Sequence, residues 1–281
     1  MKKFVLLFVL FLFSVPALSA DQKESAYDRV MRTGVLRCAY GLWEPAVMRD
    51  PNTGEMSGIM YDLMQEIGKA LNLKIEYNLE VDWSQIAEAL QAGKADAHCA
   101  GIWATPARGR RLAFTDPISF LPATAFVREG DTRFDHKPEA INDPTVTIAI
   151  IDDDVSQEIA SRDYPLAKTV SRPQIGAVED LLVMVMTGKA DVTFDGPDRF
   201  EAFNRSNPGK IRMVPTARPI RIFPNTIAVD IHEHEMVHML NTAIHQMQDN
   251  GTFDRLKKKY GAKGYPVDFL LPVERPYKWG P

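Results

Sequence analysis

The 281-residue chain carries 33 basic and 37 acidic side chains, a formal net charge of −4. This acidic balance argues against nucleic acid and against an anionic membrane surface as partners. With 45% hydrophobic residues, the length suits two lobes of ordinary size, each with its own core.

Lys2 and Lys3 precede an unbroken apolar run, Phe4 to Phe13, and "SVPALSA" follows. The pattern predicts a secretory signal peptide over 1–20, cleaved near Ala20, with a run too short to span a bilayer. No Cys stands near the cleavage point, and no later segment is apolar enough to cross a membrane. The mature chain is therefore expected in the periplasm, monomeric and without a membrane anchor. Its balance is 31 basic against 37 acidic residues, a net charge of −6.

Strand and helix signals then alternate. "VLRCAY" (35–40) reads as a strand and "PNTG" (51–54) as a turn. From Gly58 to Asn72, Met60, Leu63, Met64, Ile67 and Leu71 keep a helical period. "LKIEYNL" is a strand, "WSQIAEALQAG" a helix with Trp83, Ile86, Ala87 and Leu90 on one side, and "ADAHCAGI" a strand. This β-α-β-α-β order predicts a parallel sheet with helices on its faces. The order restarts with a strand at 145–151, a helix from Val155, a helix at 177–188, a strand at 190–195 and a helix opened by Pro197. "GKAD" occurs in both halves, each time where a helix gives way to a strand, so Gly93 and Gly188 are expected as positive-φ caps. Cys38 and Cys99 both fall in predicted strands. They read either as two buried thiols or, in an oxidising compartment, as a disulfide.

"HEMVH" (234–238) matches the H-E-x-x-H zinc-protease signature. On a helix His234 and His238 share a face, and Glu235 would activate a metal-bound water. A zinc enzyme needs a third protein ligand. His245 lies seven residues on, about 10 Å along the axis and too far to share the ion. The plainer reading is a helix with an apolar face of Val237, Leu240, Ile244 and Met247 and histidines on its wet side. No metal or other cofactor is expected.

In open parallel sheets, ligands bind beyond the carboxyl ends of the strands. Those ends fall from Gly101 onward and at Asp195. Past the first comes "WATPARGRRLAFTDP", with Trp103, Thr105, Arg108, Arg110 and Arg111. A guanidinium facing a carboxylate would complement a zwitterion.

At these residues the sequence resembles the family 3 extracellular solute-binding proteins, the amino-acid receptors of ABC importers. The resemblance extends over nearly all of the mature chain. It implies a two-lobed α/β fold of the periplasmic-binding-protein type II kind, each lobe a mainly parallel sheet flanked by helices. Lobe 1 is expected over 21–122 and 223–281, lobe 2 over 123–222, with hinge crossings near 122 and 223. "TPARGRRLAFTDP" is similar to the family segment whose arginine grips the ligand's α-carboxylate, which implies that role for Arg108. "GKADVTFD" implies the α-amino partner at Asp195. "DPNTGEMSGIMYDL" (50–63) is similar to the family's turn and first helix. "MVHMLNTAIHQMQDNGTFDRLKKKYG" (236–261) is similar to its C-terminal helix pair, which takes "HEMVH" away from the expected cleft.

The sequence also departs from the family. "CAYGLWEP" lacks the acidic residue members often carry there; it offers Tyr40 and Trp43, the latter as an aromatic wall or as a rim or core ring. Trp103 stands where a small Ser or Thr is common, and would reshape the pocket. "IDDDVSQE" replaces a Gly-Thr turn. Asp154 with Gln157 there reads as a helix capping box; alternatively Asp152 or Asp153 adds negative charge for a cationic ligand. The implied function is capture of an amino acid or related carboxylate for an ABC permease, without catalysis. The alternative is an enzyme similar to exported cyclohexadienyl (arogenate) dehydratases, which would need a positioned acid that the sequence does not single out.

Overall fold

A computed structural model of the protein describes residues 24–152, 154–172, 179–268 and 270–273. The expected signal peptide, Asp153 and the first two residues of the helix expected at 177–188 lie outside the described residues.

Helix α1 (Ala26–Thr33) leads into strand β1 (Val35–Tyr40). Then come the hairpin strands β2 (Met48–Arg49) and β3 (Met56–Ser57), helix α2 (Ile59–Leu71) and strand β4 (Lys74–Glu80). A 3-10 turn, Trp83–Gln85, runs into α3 (Ile86–Gln91), followed by β5 (Ala97–Trp103) and β6 (Leu112–Phe114). The long strand β7 (Ser119–Arg128) leads to a second group: β8 (Thr147–Ile151), α4 (Val155–Asp163), β9 (Lys168–Arg172), α5 (Glu179–Met186), β10 (Val192–Asp195), α6 (Pro197–Ser206) and β11 (Ile211–Met213). A second long strand, β12 (Arg221–Asp230), returns to the first group, which α7 (His234–Asp249) and α8 (Thr252–Gly261) complete.

The main sheet path is β4-β1-β5-β12-β7-β10-β8-β9. β1 is parallel to β4 and β5, and β8 is parallel to β9 and β10, as the alternating pattern predicts. The sequence pattern missed the long strands: β12 runs antiparallel to β5, and β7 antiparallel to β10. β7 and β12 pair with each other from Ser119↔Asn225 to Ala123↔Arg221 and so join the two groups. The result is a two-lobed α/β fold, each lobe a mainly parallel sheet flanked by helices.

The "GKAD" echo has a shared structural cause. Gly93 and Gly188 take φ of 68° and 77°, as helix caps require. In lobe 1, Asp96 N–H donates to Arg37 O (2.8 Å), and the Asp96 carboxylate accepts from Arg37 N–H (2.7 Å). In lobe 2, Asp191 N–H donates to Thr147 O (2.8 Å), and its carboxylate accepts from Thr147 N–H (2.9 Å). Arginines neutralise both carboxylates: Arg29 and Arg37 at Asp96, Arg128 and Arg133 at Asp191. Each motif thus ties its strand to a parallel neighbour, β5 to β1 and β10 to β8.

Of the two states open to the cysteines, the disulfide forms. Cys38 on β1 and Cys99 on β5 are joined with a Cα–Cα distance of 5.5 Å, and both are fully buried. Parallel neighbours in register bring the two side chains to the same face of lobe 1.

"HEMVH" opens α7 with His234, Glu235 and His238 exposed. The helix buries Met236, Leu240, Ala243, Ile244 and Met247. Val237, expected in that face, is half-buried, and Met236 turns inward instead. Among the described residues, no group of three or more His, Cys, Asp or Glu side chains converges on a metal position.

Candidate functional site

The pocket is built where strand ends from the two lobes meet. Gly101 in β5 has φ of +86°, and a Cβ there would lie 2.6 Å from Asn225 Oδ1. A glycine is therefore needed for β5 to lie close to β12 at the pocket wall. Trp103 follows and stacks on Phe223 of β12, with ring centroids 5.0 Å apart. Trp43 sits on the loop after β1, held by two backbone hydrogen bonds with Val47 (2.9 and 2.8 Å). Its ring meets Trp83 edge-on at 6.0 Å. From lobe 2, β10 ends at Asp195. Gly196 and Pro197 then start α6, and its first turn carries Asp198 and Arg199 over the same opening.

These groups surround an inner pocket of about 50 Å³, lined by Trp43, Trp83, Gly101, Ile102, Trp103, Arg108, Asp154, Val155, Asp195, Asp198 and Arg199. The Arg108 guanidinium donates to Trp103 O (2.9 Å) and, across the cleft, to Asp154 Oδ2 (3.0 Å). Asp154 has a second task. Its Oδ1 accepts from Ser156 N–H and caps α4, so the capping role expected of it holds alongside an inter-lobe ion pair. Trp43 Nε1–H donates to Asp198 Oδ2, again between lobes. Arg199 pairs with Glu179 (2.9 Å), and its guanidinium lies 5.8 Å from the Trp43 ring and 6.0 Å from the Trp83 ring. Nearer the surface, Arg205 and Glu44 form a further inter-lobe pair (2.9 Å).

Charge in the pocket is unevenly matched. Asp195 is 9% exposed; its Oδ1 accepts from Gly196 N–H (2.7 Å), while Oδ2 has no partner among the described residues. Burial pushes its carboxyl up to about 8, with the Arg199 charge opposing and the Asp198 charge adding. Asp198 is 4% exposed and its Oδ1 is likewise without a partner. Burial raises that carboxyl too, against the Arg199 charge, the Trp43 hydrogen bond and the helix-start N–H groups of Asp198 and Arg199. Burial works against the charge on Arg199, but Asp195, Glu179 and Asp198 outweigh it and hold the guanidinium protonated. Behind the pocket, His98 on β5 is fully buried beside the Trp83 ring, centroids 5.4 Å apart. Burial first, and then the Arg108 charge, push its imidazole down to about 3.

The inner pocket is continuous with an outer cleft of about 880 Å³. Trp83, Ile102, Arg108, Asp154 and Arg199 line both spaces. Arg110 and Arg111 are exposed on the rim of the outer cleft, where Arg111 pairs with Glu88 (2.6 Å). Asp152 is exposed and lines the same cleft.

Six of the seven side chains or backbone positions singled out from sequence meet at the inner pocket: Trp43, Gly101, Trp103, Arg108, Asp154 and Asp195. Tyr40 does not. Its ring packs on Tyr77 (centroids 5.4 Å) in the lobe 1 core, because β1 turns that side chain away from the cleft. Sequence reasoning missed Trp83, Asp198 and Arg199. Trp83 read as part of a helix's apolar side, and Asp198 and Arg199 were not singled out within the helix opened by Pro197. The available signal was position: both charges directly follow the carboxyl end of β10, where ligands gather in such sheets.

Two α/β lobes joined by a pair of long strands, with a charged and aromatic pocket between them, define a bilobal binding architecture. The chain belongs to the bacterial extracellular solute-binding proteins, family 3, whose sequence profile matches residues 36–263. It is 26% identical over 212 residues to a probable histidine-binding protein of Neisseria gonorrhoeae, covering 75% of this chain and 76% of that one. It is 23% identical to an L-cystine-binding protein of Bacillus subtilis (strain 168), covering 92% and 97% of the two chains. The crystal structure of an ancestral amino acid-binding protein, a precursor of cyclohexadienyl dehydratase, superposes with a TM-score of 0.68 at 25% identity, covering 84% of this chain and 99% of that one.

Proposed function

We propose that this protein is an exported receptor that captures a small zwitterionic ligand, an amino acid, between its lobes and delivers it to an ABC importer. The observation that carries the reading is that Arg108 of lobe 1 and Asp195 of lobe 2 line one pocket. A ligand carboxylate would take the place of Asp154 on the Arg108 fork, so the guanidinium exchanges one carboxylate for another. A ligand ammonium would give Asp195 Oδ2 its missing partner and draw that carboxyl into its ionised form. Two charge-assisted hydrogen bonds at about 1.5–3 kcal/mol each, with apolar contact to the tryptophans, would supply the ~8 kcal/mol of a micromolar complex. The lobes would close by bending where β7 and β12 cross near 122 and 223, where the two strands pair and carry the chain from one lobe to the other. The N-terminal stretch 1–20 would direct export.

Native mass spectrometry of the protein purified from the exported fraction, with no ligand added, tests this. A bound mass in the amino-acid range, lost in Arg108→Ala, is the expected result. Undiminished amino-acid binding by Arg108→Ala would sink the assignment.

One observation favours a second reading, a dehydratase of the cyclohexadienyl or arogenate kind. Asp195 holds its proton near neutrality in a buried site, as a general acid must. Turnover of prephenate or arogenate by the purified protein, abolished in Asp195→Asn, would replace the receptor reading with this one.

A further inference from the structure

The inner pocket holds more carboxylate than its own arginines neutralise. Arg108 is paired with Asp154, and the single Arg199 charge is shared among Glu179, Asp195 and Asp198. Asp195 and Asp198 remain, each with one oxygen engaged and one without a partner among the described residues. A neutral amino acid brings one ammonium and can serve one of them. A position in the first turn of α6 gives Asp198 a favourable helix dipole, and Trp43 takes its Oδ2. Neither contact accounts for a second oxygen that is also buried. Gly196 adds a spatial argument: a Cβ there would lie 2.3 Å from Asp198 Oδ1. Glycine at that position leaves this oxygen free to lie against the backbone next to Asp195.

We propose that Asp198 is a second ligand-reading carboxylate, and that the site takes a small organic cation with two protonated nitrogen centres rather than a neutral zwitterion. The inference deepens the receptor reading and rests on it. One nitrogen centre meets Asp195, and the other meets Asp198 Oδ1. The Trp43 and Trp83 rings line the same pocket and offer apolar surface to the carbon chain between the two nitrogen centres. Asp195 and Asp198 both line the inner space of about 50 Å³, so both nitrogen centres lie there, and a ligand carboxylate sits at Arg108, where that space opens to the outer cleft of about 880 Å³. Two sources share this chemistry: amino acids with basic side chains, and diamines that lack a carboxylate.

Calorimetric titration of the full mature chain at about pH 8 separates these possibilities. The panel is lysine, ornithine and arginine; alanine and glutamine; putrescine and cadaverine. Basic amino acids are expected to bind at least tenfold tighter than neutral ones, about 1.4 kcal/mol. Asp198→Asn retains an acceptor for the Trp43 indole and is expected to erase that preference, read as the ratio of basic to neutral amino-acid affinity in the same variant. Trp43→Phe leaves the carboxylate in place and is expected to keep the preference, which separates loss of charge from loss of packing. Equal binding of basic and neutral amino acids, unchanged in Asp198→Asn, would overturn the proposal and leave the amino-acid receptor standing. Binding of diamines with no amino acid bound would support the two-cation site and refute the amino-acid reading. Binding of nothing in the panel would overturn both.

Discussion

Replacing Asp195 by Asn should stabilise the ligand-free protein at neutral and alkaline pH and leave it unchanged in acid. The folded protein holds this carboxyl at about 8, against an ordinary 3.8. Between those values the unfolded chain has an ionised aspartate, while the folded protein keeps it protonated. Folding then takes up a proton, so stability is fully present below about 4 and is lost as pH rises toward about 8. The slope is ~1.4 kcal/mol per pH unit, with an upper limit of about 5–6 kcal/mol across the window. Hydration of Asp195 through a parted cleft would lower that figure. Asn keeps the acceptor for Gly196 N–H and does not ionise, so the variant lacks this slope. Urea unfolding of both proteins at about pH 5, 7 and 9 gives the difference directly, and at pH 9 it should exceed ~1 kcal/mol, beyond extrapolation error. Stability curves that run parallel across this range would refute the argument, because they would mean that Asp195 is hydrated or ionised in the folded protein. Saturating cationic ligand should flatten the wild-type slope, since it supplies the counter-charge that burial withholds.

Three other outcomes are expected. Reducing the Cys38–Cys99 bond, which closes a loop of 61 residues, should cost about 4 kcal/mol in the chain-entropy account; urea midpoints with and without dithiothreitol measure it. Asp154→Ala removes the cap of α4 at a cost of ~1 kcal/mol, yet frees the Arg108 fork, so carboxylate ligands should bind several-fold tighter by calorimetry. His98→Leu should resist acid: the imidazole, pushed down to about 3 from 6.5, withdraws stability as pH falls through that interval at ~1.4 kcal/mol per unit. Acid titration followed by circular dichroism should place the variant's midpoint lower.

Periodicity made the elements that bury one face legible. β1 matches its expected bounds, α6 starts at the expected Pro197, and α2 starts and stops within a residue of the apolar repeat. The repeat in "GKAD" was legible as a turn, but not as a carboxylate staple, because the arginines that satisfy Asp96 and Asp191 come from elsewhere in the chain: Arg29 on α1, Arg37 on β1, Arg128 on β7 and Arg133 in the turn after it. β7 and β12 escaped because both are long, mostly buried strands that contain a proline, Pro122 and Pro224, which reads as a break. The state of the cysteines required knowing that β1 and β5 are neighbours. Arg108 and Asp195 were found through a motif. Asp198 and Arg199 were not, since a charged first turn has a sufficient local explanation and only the opposite lobe shows that they face a pocket. The pairing of Arg108 with Asp154 belongs to the same class: residues 46 apart, on different lobes, with no mark in sequence of their meeting.

The sheet order also fixes when each lobe can be completed as the chain is made. Strands β7 to β11, which build lobe 2, lie together between residues 119 and 213. Lobe 1 is different: β5 gains its second neighbour only from β12, which ends at Asp230. Until that strand emerges, the edge of β5 presents unmatched backbone N–H and C=O groups, the kind of edge that recruits a foreign strand. A chain cut short near residue 220 would therefore carry a complete lobe 2 beside an adhesive, half-built lobe 1, and aggregation of such a fragment would arise at β5.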